Sequence, residues 1–131
     1  MPPRGPKGYA FNRTRITYLA TDLWIAQTHW SRFRGLMATD SSQFARGQGL
    51  WINPSRGIHT FAMRFPIDAV YLDRDRIVIH IEEALKPWRV AAVRVQAASV
   101  LEVPVGTIRE SLTMVGDQVD IFQERPITEA A

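Results

Sequence analysis

A chain of 131 residues with 46% apolar side chains has the size of one domain and enough apolar surface for its own core. It has no cysteine, which excludes disulfides, thiolate metal sites and cysteine nucleophiles together. Its net charge of +3 is too small to mark a nucleic-acid binder, although all 16 basic residues except Lys7 and Lys86 are arginines.

Residues 1–13 are rich in Pro and Gly and carry Arg4, Lys7 and Arg13. They read as a flexible basic tail with nothing to bury. There is positive charge but no apolar run behind it, so no signal peptide is expected. No window approaches the roughly 18 apolar residues of a membrane span, and the expected compartment is the cytoplasm. The folded domain should occupy residues 14–124, with 125–131 fraying.

Residues 15–27 are β-branched and aromatic and predict two short strands or one bent strand, with Asp22 near the break. From Thr28 the period changes: Trp30, Phe33 and Met37 fall at helical spacing behind a plausible N-cap. Residues 50–52 form a short strand closed by Asn53-Pro54-Ser55-Arg56-Gly57, a turn signal. Residues 58–65 alternate, with His59, Phe61, Met63 and Phe65 on one face, until Pro66 ends the strand. Two apolar runs, 69–72 and 77–81, flank the polar turn at 73–76 and predict a hairpin.

Pro87-Trp88-Arg89 is a further break. Residues 99–103 form another strand, and Thr107-Ile108-Arg109-Glu110 matches a capping box opening a short helix. Gly116-Asp117 is a turn before a last strand at 119–122. The expected class is α+β: a β-rich single domain of about seven short, mostly antiparallel strands with two short helices.

Several of these segments, in this order, resemble a family of bacterial and archaeal domains known as domain of unknown function 192, or uncharacterised protein family 0127. They are Arg32-Phe-Arg-Gly-Leu-Met37, Gly49-Leu-Trp-Ile-Asn-Pro54 and Ile58-His-Thr-Phe-Ala-Met-Arg-Phe-Pro-Ile-Asp68 with the strand after it. Pro87-Trp-Arg89, Val100-Leu-Glu-Val-Pro-Val-Gly106 and Gly116-Asp117 follow. The resemblance implies a compact β-rich domain and carries no agreed activity. Some relatives have a cysteine after the proline matching Pro54; Ser55 stands there in this chain, so a thiol-based role does not transfer.

The densest polar cluster is His59, Thr60, Arg64 and Asp68, joined by Arg34, Trp88 and Arg89 from the other motifs. Arg64 and Arg89 suit bidentate recognition of a carboxylate or phosphate, with Trp88 as a stacking wall. The competing reading is an internal ion-pair network in which Asp68 holds Arg64 or Arg34. The favoured function is a small non-enzymatic binding domain with a pocket for a small anionic or polar ligand. The alternatives are a hydrolase or transferase using His59 with Asp68 as its acid–base pair, and weak nucleic-acid binding through the tail. No cofactor is expected. No metal is either, because His29, His59 and His80 lack ligand spacing.

Overall fold

The computed structural model describes residues 7–26 and 44–124. Its first two strands, β1 (Lys7–Asn12) and β2 (Thr17–Ala26), form an antiparallel hairpin. Then come β3 (Gln48–Ile52), β4 (Ile67–Leu72), β5 (Val78–Leu85) and β6 (Ser99–Pro104). A short helix, α1 (Thr107–Ser111), precedes β7 (Val119–Gln123). The strands lie in the order β5-β4-β6-β3-β2-β1-β7, and every pairing is antiparallel except β2 with β3.

The sheet curls until its two edge strands meet at one end. Ile77 bridges Gln118, and the Val78 amide donates to the Asp117 carbonyl at 2.9 Å. Leu19, Leu23, Val70, Leu72, Leu101, Val103 and Ile108 belong to one core cluster inside this curl. Each such buried leucine contributes about 1.5–3 kcal/mol relative to exposure. β4 and β6 are buried along their whole length, which is why they read as continuous apolar runs rather than alternating ones.

What covers their outer side is irregular chain. Ile58, Met63 and Phe65 pack with Ile67, Leu50 and Ile52, while Ala97 packs with Tyr71 and Val100. Residues 56–60 and 88–94 run against each other as a hydrogen-bonded ribbon. Arg94 N–H donates to Arg56 O, Ala91 N–H to Ile58 O, and Thr60 N–H to Arg89 O, at 2.8–2.9 Å. His59 and Val90 form a bridge in the middle. Gly57 permits the close approach, since a Cβ there would lie 3.1 Å from the Ala92 carbonyl oxygen.

Four expectations change. Residues 7–12, placed in the tail, are strand β1, paired with β2 on one side and β7 on the other. Gly8 disguises it: a Cβ there would fall 1.8 Å from the Phe122 carbonyl oxygen, so this glycine serves close strand contact rather than flexibility. Residues 58–65 are not a strand, because the chain turns at Ala62 (φ 60°) with Met63 N–H donating to Thr60 O. β2 runs unbroken through Asp22. Among the described residues there is one helix, α1; the expected helix at 28–37 lies outside them.

The fourth correction is the capping box. Thr107 is already inside α1, the cap position belongs to Gly106 (φ 94°), and no side chain within the segment caps it. The Thr107 hydroxyl is buried without a hydrogen-bond partner, and Glu110 pairs with Arg46 instead. The cap comes from a strand far away in sequence, as described next.

Candidate functional site

The structure separates the residues that the sequence grouped together. Asp68, on β4, is buried and fully committed to backbone amides. Its Oδ2 accepts from Gly106 N–H at 3.1 Å and Ile108 N–H at 3.0 Å, so it caps α1 across 40 residues of chain. Its Oδ1 accepts from Ala84 N–H at 2.9 Å, where β5 shifts register against β4 and Ala84 takes a positive φ. No hydrogen bond to Asp68 comes from Arg64. With both oxygens spent on three amides, this carboxylate serves the scaffold.

Thr60, also buried, is the clasp of the ribbon. Its hydroxyl donates to Lys86 O at 2.6 Å and accepts Arg89 N–H at 2.8 Å, while its carbonyl accepts Trp88 N–H at 2.9 Å. These bonds hold Trp88 at φ 60°, a left-handed conformation that a bulky residue adopts only under constraint. The clasp fixes an exposed aromatic ledge. The His59 ring stacks on Phe61 with centroids 5.0 Å apart, and Phe61 stacks on Trp88 at 6.1 Å. His59 Nδ1 accepts Phe61 N–H at 3.3 Å. Trp88 remains 64% exposed, so its indole is held in place without being hidden.

This region is rich in exposed cations. Residues 53–66 and 86–98 contain Arg56, Arg64, Lys86, Arg89 and Arg94 and no acidic residue. All five are exposed. Arg56, Lys86, Arg89 and Arg94 have no carboxylate partner among the described residues, and neither do Arg74, Arg76 and Arg109, whereas Lys7, Arg13, Arg15 and Arg46 each have one. Arg34, the remaining sequence candidate, lies outside the described residues.

The model of the DUF192 family, described as an uncharacterized ACR, matches residues 11–121. The chain belongs to the DUF192 family. A UPF0127 protein of Thermococcus sibiricus is 34% identical over 114 residues, which span 83% of this chain and 71% of the relative. Another, TK1120 of Thermococcus kodakarensis, is 33% identical over 100 residues, spanning 72% of this chain and 61% of its own. Two crystal structures share the fold. One, from Sinorhizobium meliloti 1021 and described as a candidate transcription regulator, has a TM-score of 0.72 at 20% identity, over 88% of this chain and 92% of that one. The other, a protein of unknown function from Novosphingobium aromaticivorans, has a TM-score of 0.70 at 16% identity, over 91% and 94%.

This DUF192 domain also holds a titratable cluster that the sequence reasoning missed. Tyr71 donates to the Ala92 carbonyl at 2.6 Å, and Glu82 Oε2 lies 3.2 Å from the same hydroxyl and accepts Ala92 N–H at 3.3 Å. Burial first, and then the Glu82 charge, push the Tyr71 phenol upward. Glu102, on β6, is buried with no hydrogen-bond partner among the described residues, and burial raises its carboxyl to about 8. The available signal was Glu102 itself, a lone acid inside the apolar run Val100-Leu-Glu-Val-Pro104. Among the described residues no group of three His, Asp or Glu could hold a metal, and no helix is long and apolar enough to cross a membrane.

Proposed function

We propose that this domain is a non-catalytic binding module that recognises an anionic partner across the ribbon of residues 56–60 and 88–94. The observation that carries the reading is the ledge His59–Phe61–Trp88 beside Arg56, Lys86, Arg89 and Arg94, exposed cations in no ion pair with a described carboxylate. Guanidinium groups left without a carboxylate are available to an incoming anion, and a fixed exposed indole offers it a wall at low ordering cost. The strained Trp88 backbone supports the same reading, because such strain collects where structure is held for binding.

Acid–base chemistry through His59 and Asp68 is not part of this proposal. Asp68 is buried and accepts three backbone amide hydrogen bonds, the partners of a scaffold carboxylate rather than of a catalytic one. Thermal-shift titration with inorganic phosphate, citrate and adenosine monophosphate tests the reading. At least one should raise the melting temperature of the wild-type chain by mass action and fail to do so in Trp88→Ala/Arg89→Ala. No shift with any of the three, or a shift that survives the double substitution, would contradict it.

A further inference from the structure

We propose that the anionic partner is the surface of a lipid bilayer, on which the ribbon rests as a peripheral contact. This inference rests on the anion-binding reading above and adds what that reading leaves unexplained, the apolar side chains. Trp88, Val90, Val93 and Val95 are 64%, 67%, 63% and 78% exposed, and Phe61 is 40% exposed. Four of them are linked across the ribbon, with Val95 just past its end: Phe61 stacks on Trp88, His59 bridges Val90, and Val93 lies against Gly57. A contiguous apolar patch of this kind on a single domain marks an interaction surface.

The chemistry of the patch selects the partner. Arg89 and Arg94 are interleaved with the valines and Lys86 and Arg56 flank them; no acid falls within residues 86–98, although Glu82 meets the Ala92 amide and Asp73 and Asp75 share a groove with Arg56 and Val95. A nucleic acid would use the cations and the aromatic rings, but it gives the three valines nothing to bury against. An acidic protein would need a shaped apolar counterpart. An anionic bilayer satisfies every component at once: the phosphate layer meets the arginines, tryptophan settles at the headgroup level, and the valines reach the acyl boundary.

A second group of exposed apolar residues supplies a contrast. Leu112, Met114 and Val115 lie just beyond α1, where the surface groove mixes Arg15 and Arg109 with Glu83. That groove has no aromatic side chain in its lining, whereas the ribbon carries Trp88 and Phe61.

Co-sedimentation of the full chain with vesicles of phosphatidylcholine alone and of phosphatidylcholine mixed with phosphatidylglycerol tests the inference. Glycerol phosphate and a single-stranded oligonucleotide serve as soluble comparisons. The chain should pellet with the mixed vesicles and not with the neutral ones, and added salt should release it. Each cation near an anionic surface contributes about a fivefold change, so Arg89→Gln/Arg94→Gln should weaken partitioning on the order of 25-fold. Val90→Asp/Val93→Asp should weaken it roughly tenfold or more while leaving circular dichroism and melting temperature unchanged, since both side chains are exposed. Binding of glycerol phosphate or the oligonucleotide without vesicle binding would overturn the bilayer and keep the anion-binding reading. Binding of no probe would overturn both, and vesicle binding insensitive to either double variant would overturn the assignment to the ribbon.

Discussion

Asp68 and Arg89 came from the same cluster in the sequence, and the fold uses their charges in opposite ways. Asp68 and Asp117 both turn their carboxylates inward, to the fold's own donors. Asp68 holds three amides, and Asp117 accepts from Asn12 Nδ2, Arg15 Nε and Met114 N–H at 2.9–3.0 Å. Burial pushes the Asp117 carboxyl up, but those hydrogen bonds and the Arg15 charge outweigh it and hold the group below its ordinary value. On the ribbon, by contrast, the backbone is bonded to itself and to Thr60, Tyr71 and Glu82, while four exposed cations have no carboxylate partner among the described residues. A charge that closes a fold is recognised by its partners, and a charge that serves a partner by lacking them at home.

The largest effect should come from the first region. Asp68→Ala removes the acceptor of three amides, one buried and two part-buried, and uncaps α1, and it should cost about 3–5 kcal/mol in equilibrium urea unfolding. A loss below about 1 kcal/mol would mean that the cap and the β5 bulge are held by something else.

A second effect, of opposite sign, should come from Glu102. Its folded value of about 8 lies above the ordinary carboxyl value of 4.5, so the folded state binds the proton more tightly than the unfolded chain does. Stability should therefore be greatest below about 4.5 and should fall as the pH rises toward about 8. Glu102→Gln removes that penalty, and at alkaline pH it should stabilise the protein by on the order of 3 kcal/mol. Urea midpoints measured across this range check it; a variant with the same pH slope as the wild type would show that Glu102 is not the group titrating.

Much of the fold was legible because it is written locally. The 73–76 turn reads from its own residues: Asp73 Oδ1 accepts Asp75 and Ile77 amides at 2.9 Å. The runs that became β3, β4, β6 and β7 announce burial by composition. β1 did not, since Gly8 looks like flexibility until β7 lies against it. The cap of α1 did not either, because Thr107 and Glu110 mimic a capping box while the true acceptor sits on another strand. For the site, sequence proximity grouped Asp68 with His59, whereas the distinguishing signal was negative. Two segments distant in sequence carry cations and no acid of their own, and only their pairing as a ribbon brings those cations onto one surface.

The smallest expected effect is also the most direct test of this division. Replacing Arg56, Lys86, Arg89 and Arg94 together by glutamine should change the free energy of unfolding by less than about 1 kcal/mol, because exposed charges without partners contribute little to stability. Urea unfolding of that quadruple variant beside the wild type measures it. An unchanged midpoint is the predicted result. A loss of several kcal/mol, comparable to that of Asp68→Ala, would show that the ribbon's cations hold the fold together and would contradict the account.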